Sequence, residues 1–254
     1  MPPFHPLYLA RRLTSRDGSA LSVAVSHIHF VGGEKGGVGK SLVARVLTQW
    51  FIDRSLPFAA IDADTSHRTL LRSYESYSQP VDLEVFASAD EIANRALAAD
   101  RSVVVDLPAQ SKRALERWMQ SVDLVRFCRD AGIGLTLWHV TDGTFDSVRD
   151  LERSLELWAD SFSFIAAKNH GRGRDFSLFD ESEGRRRLEQ MGGRIVDVPE
   201  LDAAAMGRID RTCVSLWAAA NGVEGDLALA PMQRQRTRLW LDRCYQSFGA
   251  LVPV

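Results

Sequence analysis

Apolar residues run along this chain in two alternating rhythms. Short, largely apolar runs at His27–Val31, Pro57–Asp64, Ser102–Ala109, Ile133–Val140, Phe162–Ala167 and Arg194–Pro199 predict strands, most of them buried. Between them apolar residues recur at helical spacing. Val43, Val46, Leu47, Trp50 and Phe51 mark a helix over Leu42–Arg54. Ala114, Leu115, Trp118, Met119, Val122 and Val125 mark another, and Phe145, Val148, Leu151, Leu155 and Trp158 a third. A strand over Val81–Phe86 and a helix over Ser88–Ala98, capped by Ser88, fall between. From Leu201 the pattern is helical, broken at Asn221-Gly222, and closes with a helix over Leu229–Ala250. Strands alternating with helices predict an α/β fold: a mostly parallel, doubly wound sheet with helices on both faces. No repeat or long linker divides the chain, so residues 27–254 are expected to form a single domain with a C-terminal helical segment. Residues 1–26, with Pro2, Pro3, Pro6, Arg11, Arg12, Arg16 and Gly18, are expected to form an extension outside the core.

The first strand and first helix are joined by Gly32-Gly33-Glu34-Lys35-Gly36-Gly37-Val38-Gly39-Lys40-Ser41. Strand, glycine-rich turn and helix is the context of a phosphate-binding P-loop. Gly36, Gly37 and Gly39 let the backbone curl so that successive N–H groups, Val38 included, face a phosphate at the positive end of the helix. Lys40 is placed to reach the β- and γ-phosphates, and the Ser41 hydroxyl to ligate Mg²⁺. Where the common P-loop pattern opens with glycine, this chain has Glu34. The β-branched run Ser102–Val105 ends in Asp106, the Walker B arrangement. A carboxylate there holds a Mg²⁺-bound water or Ser41 without touching phosphate.

Lys35 is a second lysine inside the loop, and Lys-Gly-Gly-Val-Gly-Lys-Ser resembles the deviant Walker A motif of the ParA/MinD family of ATPases. The resemblance covers about residues 27–200 and rests on ordered motifs; within the family it is nearest the ParA-like proteins of conjugative plasmids, such as TraL and StbB. It implies a slow, partner-stimulated ATP hydrolase that closes into a homodimer on binding ATP and Mg²⁺, with Lys35 reaching the partner's nucleotide. Asp62 and Asp64 match the family's switch I, so Asp62 is expected near Mg²⁺ and Asp64 beside the attacking water. Thr65-Ser66-His67-Arg68 follows where the family often has Pro-Gln, and an aspartate there also caps a helix. Asp106-Leu107-Pro108 resembles switch II. Asn169 matches the family's adenine-reading asparagine, although an asparagine at a strand end is equally a turn residue. The resemblance implies roles in plasmid or DNA partition, conjugative transfer or the positioning of cargo, with an adaptor protein as partner. A P-loop biosynthetic ligase of the dethiobiotin-synthetase type is the alternative; it needs a substrate pocket and has no use for Lys35.

Composition narrows the partners. Hydrophobic residues are 45 % and charged residues 25 %, with a formal net charge of −2, which excludes a strongly basic nucleic-acid binder overall but not a local patch. Cys128, Cys213 and Cys244 show no metal-ligand spacing, and no apolar run is long enough to span a bilayer, so a cytoplasmic protein is expected. Arg185–Arg187 form one basic cluster, and Arg234, Arg236, Arg238 and Arg243 another on the last helix, beside Trp240, Leu241, Cys244 and Phe248. Three readings of that helix stay open: packing on the sheet with solvated arginines, contact with DNA phosphates, or docking on anionic lipid, the least favoured because its basic residues precede the apolar part.

Overall fold

The computed structural model describes residues 26–98, 101–222 and 229–249. The extension expected over residues 1–26 therefore lies outside the described residues, apart from Ser26. The strands are β1 (His27–Gly32), β2 (Phe58–Asp62), β3 (Ser78–Pro80), β4 (Ser102–Asp106), β5 (Gly134–Thr141), β6 (Ser163–Asn169) and β7 (Arg194–Val198). They form one parallel sheet in the order β3-β2-β4-β1-β5-β6-β7. The chain winds to one edge through β2 and β3, returns as β4, then crosses β1 and winds to the other edge. That reversal opens a crevice at the carboxyl ends of the central strands, where α/β sheets bind ligands.

The helices are α1 (Lys40–Asp53), α2 (Thr69–Ser73), α3 (Phe86–Leu97), α4 (Lys112–Ser121), α5 (Leu124–Ala131), α6 (Phe145–Trp158), α7 (Ser177–Asp180), α8 (Glu183–Gln190), α9 (Ala203–Thr212), α10 (Leu216–Asn221) and α11 (Pro231–Phe248). Strand alternation splits the core into two layers. Ile28 and Phe30 of β1, with Val103 and Val105 of β4, face the layer that contains Ile92, Leu115, Trp118, Leu151 and Phe179. Val31 and Val104 face the opposite layer, with Val43, Leu47, Trp50, Ile209, Leu216 and Phe248. Both layers are apolar because a sheet covered on two faces has no wet side. Trp118 and Met119 belong to the first layer, buried rather than presented to a partner.

Several boundaries differ from the sequence reading. Val81–Val85 is not a strand. The outer strand is β3, just before it, and Asp82 then turns the chain by accepting the Glu84 N–H at 2.9 Å. Ser88 is not the cap of α3 but lies inside it, its hydroxyl accepting the Asp82 N–H at 2.9 Å. The helical pattern from Ala114 to Val125 is two helices, broken where Asp123 adopts φ 46°.

The C-terminal helix packs as the first of its three readings expects. Trp240, Leu241, Cys244 and Phe248 are buried in the second layer, and the Trp240 indole donates to Pro199 O at 2.7 Å. The four arginines do not gather on one face. At about 100° per residue, Arg236 and Arg243 fall within about 20° of each other, and Arg234 and Arg238 within about 40°. The two pairs flank the buried stripe on roughly opposite sides. On α8, Arg185 pairs with Glu189 at 3.0 Å and Arg186 with Glu183 at 2.7 Å, so that cluster is largely answered on its own helix.

Candidate nucleotide site

The P-loop runs from the end of β1 into α1, as the glycine spacing predicts. Gly33, Gly37 and Gly39 have φ of 135°, 78° and 100°. Gly39 is required twice over, since a side chain there would also collide with the Asn169 amide. Lys40 is buried and donates from Nζ to Lys35 O at 2.8 Å, so its ammonium sits folded back on the loop. Burial pulls its pKa down, and the carboxylates of Asp106, Glu34, Asp150 and Asp64 oppose that pull. An ammonium held among acids with one carbonyl partner is suited to exchange that carbonyl for phosphate oxygen.

Asp106 ends β4 in register with Val31 of β1 and Asp62 of β2, one row across three strands. Its carboxylate is fully buried and makes no well-formed hydrogen bond among the described residues, although the Ser41 hydroxyl lies close enough to act on it. Burial, with Asp62 and Asp64 nearby, pushes its pKa up to about 8, while Ser41 and Lys40 act against the rise. A buried carboxylate so weakly satisfied is costly unless a cation or its hydration shell answers it. Together with the Ser41 hydroxyl it fits a Mg²⁺ site completed by phosphate.

Switch I is arranged differently from the reading of one pleated strand ending in two aspartates. β2 stops at Asp62, so Asp64 lies beyond the pleat. Asp62 is buried and accepts the Asp64 N–H at 3.0 Å and the Leu71 N–H at 2.9 Å. Burial raises its pKa against those hydrogen bonds. The Asp64 carboxylate accepts the Ser66 and His67 N–H groups at 3.0 Å each and lies 3.2 Å from the His67 ring. In this structure Asp64 therefore organises a turn.

Asn169 closes β6, with its amide buried under the loop. It donates to Val38 O at 2.8 Å and accepts the Gly171 N–H at 3.1 Å. To read an adenine edge it would have to release one of these partners. Arg172 lies across the same mouth, its stem against Gly39.

Lys35 is held within its own chain. Its Nζ donates to Asp142 Oδ2 and to Thr144 Oγ1, both at 2.6 Å. Asp142 also accepts from the hydroxyls of Thr144 at 2.7 Å and Ser147 at 2.8 Å. Burial works to raise the Asp142 pKa, but the hydrogen bonds from Lys35, Thr144 and Ser147 outweigh it and hold the carboxyl at about 2. The sequence reading ended this strand at Val140 and passed over Asp142. It is an acid at the carboxyl end of a strand, the same signal that singled out Asp106. Asp150, which accepts the Glu34 N–H at 2.7 Å, was also missed. Nothing local marks it, because α6 meets the loop only through the tertiary fold.

A cavity of about 870 Å³ lies at the other end of α1, lined by Asp53, Tyr74, Tyr77, Trp217, Asp242 and Tyr245 among others.

No family model matches the chain. A stretch of 180 residues is 24 % identical to protein MobD of Acidithiobacillus ferrooxidans, covering 68 % of this chain and 78 % of that protein. Among solved structures, the cell division protein MinD of Aquifex aeolicus aligns with a TM-score of 0.52 at 16 % identity, over 90 % of this chain and 99 % of MinD. The MinC:MinD complex of the same organism gives 0.53 at 14 % identity, over 90 % and 98 %. The septum site-determining protein MinD of Pyrococcus horikoshii, complexed with Mg-ADP, gives 0.51 at 14 % identity, over 90 % and 99 %. With a glycine-rich loop after its first strand and a seven-stranded parallel sheet flanked by helices, the chain has the fold of the MinD/ParA-type P-loop ATPases.

Proposed function

We propose that this protein is an ATP-hydrolysing switch whose nucleotide state governs association with a second copy of itself and with a cargo or adaptor. The observation that carries the reading is a pair of incompletely satisfied groups at the P-loop. Among the described residues the Lys40 ammonium donates to Lys35 O alone, and the Asp106 carboxyl is buried with only the weakly placed Ser41 hydroxyl beside it. A nucleotide polyphosphate with a divalent cation answers both.

Gly36, Gly37, Val38 and Gly39 would present N–H groups to the phosphates, Lys40 would bind the terminal phosphates, and Ser41 and Asp106, with Asp62 behind them, would hold Mg²⁺. The ion supplies charge neutralisation at the phosphate oxygens when bound. Asp64 would turn from its Ser66 and His67 contacts to orient water. Lys35 would leave Asp142 and reach the partner copy's phosphate, and Asn169 would read adenine.

A ligase reading is less favoured, because its second substrate needs room beside the phosphates. The pocket beside Gly33 and Glu34 holds only about 10 Å³, whereas the cavity of about 870 Å³ stands at the far end of α1. DNA is the proposed surface for the ATP-bound form, through one flank of α11, either Arg234 with Arg238 or Arg236 with Arg243; a membrane is less favoured. No described helix is long and apolar enough to cross a membrane. Partition of DNA and conjugative transfer remain the proposed settings, in a cytoplasmic protein.

Calorimetry with ATP, with and without Mg²⁺, tests the reading. Wild-type protein is expected to bind Mg·ATP, and Asp106→Ala to lose the Mg²⁺ dependence. Absence of binding by the wild type overturns it. For turnover, Asp64→Ala is expected to retain ATP but stop phosphate release; hydrolysis at the wild-type rate moves the catalytic role elsewhere.

A further inference from the structure

Glu34 stands where the common P-loop has glycine, and the proposed function leaves it unused. A glycine here could keep two main-chain contacts, to α6 and to the turn before α4, but not the third, which the glutamate side chain makes to α4. Its N–H donates to Asp150 Oδ2 on α6 at 2.7 Å. Its carbonyl accepts the Gln110 N–H at 3.3 Å. Its carboxylate accepts the N–H of Lys112, the first residue of α4, at 3.0 Å.

The last contact supplies what α4 lacks. The residue preceding the helix is Ser111, whose side chain makes no capping hydrogen bond and whose φ and ψ are −85° and −8°. The first N–H groups of a helix have no partner within it, and the helix dipole favours an anion there. Glu34 provides both acceptor and charge, from a residue 78 positions away in the chain. Gln110, one of the few non-glycine residues with positive φ (58°), is tied to the same glutamate. The segment from Leu107 to Lys112 thus begins directly after Asp106 and ends on Glu34, with Ala109 packed toward Gly36.

Glu34 also adjoins the group that phosphate must displace. Lys40 is bound to Lys35 O, the next carbonyl along the loop. When Lys40 exchanges that carbonyl for phosphate, the backbone carrying the Glu34 carboxylate is released on one side only, since Asp150 still holds it on the other.

We propose that Glu34 is a positioning residue, a strut that links phosphate occupancy of the P-loop to the placement of residues 107–112 and the start of α4. It rests on the reading of the P-loop as a nucleotide site. The strut adds a differential contact between the two states, which is what a ligand needs to shift one segment from another.

The test compares Glu34→Met, which keeps length without an acceptor, with Glu34→Gln, which keeps the acceptor. Hydrogen exchange of residues 110–115 is followed with and without Mg·ADP, alongside steady-state ATP hydrolysis. In the wild type, Mg·ADP is expected to change exchange in this segment. Glu34→Met should bind Mg·ADP with affinity within about threefold of wild type, lose that change, and show kcat lowered about tenfold at a KM within about twofold. Glu34→Gln should restore both, which a purely structural loss would not predict. Glu34→Met that binds Mg·ADP and still shows the wild-type exchange response overturns the inference alone. Wild-type protein that binds no Mg·ADP overturns the functional reading and the inference with it. Should Glu34→Met fail to fold, Glu34→Ala and Glu34→Gln carry the same comparison.

Discussion

The P-loop and α11 are both cationic in sequence, and the fold treats them in opposite ways. The loop has only Lys35 and Lys40, yet each is aimed. Lys40 meets Lys35 O at 2.8 Å among four acids, and Lys35 meets Asp142 and Thr144 at 2.6 Å. The last helix has Arg234, Arg236, Arg238 and Arg243, and they diverge to two flanks of a buried stripe. A cation held against fixed acceptors in a partly dry site interacts more strongly than charges spread over an exposed helix, which are screened separately. Number of cations is thus a poor guide to a site. What counts is whether the fold gives each cation a fixed partner.

The largest expected effect comes from removing the aimed cation. Lys40→Ala is expected to abolish ATP binding by calorimetry, a loss on the order of 1.5–3 kcal/mol for one charge-assisted contact. Unchanged affinity would sink the P-loop assignment and erase the contrast with α11.

Next is the tie that holds Lys35 in its own chain. In an Asp64→Ala background, light scattering should report a dimer with ATP and a monomer with ADP, and adding Lys35→Ala should return it to monomer with nucleotide still bound. Asp142→Asn frees Lys35 and is expected to favour the dimer by about 1 kcal/mol, roughly fivefold. The same mass in every condition would remove the sandwich-dimer proposal.

The same pair sets a pH signature. The Asp142 carboxyl is held at about 2, below its ordinary 3.8. A lowered carboxyl stabilises the fold fully above its unfolded value and loses that contribution as pH falls from about 4 to about 2. Because the Lys35 side chain is 30 % exposed and that of Asp142 12 %, the contribution is expected near 1 kcal/mol. Denaturation curves of Lys35→Met should lose part of that slope, whereas replacing the α11 arginines should leave it intact. An unchanged slope in Lys35→Met would place the cause in Thr144 and Ser147.

The smallest effects belong to α11. Each arginine replaced singly by alanine should move stability by less than about 0.5 kcal/mol. If DNA binds, only two arginines share a flank, so the log–log salt slope should not be steeper than about −1.8, for two duplex phosphates. A slope near that for four contacts would show that both flanks meet DNA at once. No gel shift at low salt, and no sedimentation on anionic vesicles, would leave a protein partner as the target.

The sequence by itself determined the parallel α/β architecture, the P-loop, and the strand-end positions of Asp62, Asp106 and Asn169. These are local matters: strand and helix periods, glycine φ freedom, and an acid or amide following an apolar run. Its errors were extended-strand readings lost to local turns, in which a side-chain carboxylate captures N–H groups two or three residues on. Asp64 is drawn off the pleat by the Ser66 and His67 N–H groups, and Val81–Val85 is turned by Asp82 rather than extended. Only the tertiary structure decided who answers whom. Lys35 and Asp142, or Glu34 and Lys112, are separated by 107 and 78 residues, and no pattern within a single element reports that distance closing. It also decided that Asp106 is enclosed in the core, because burial is a property of the assembled layers rather than of any one segment.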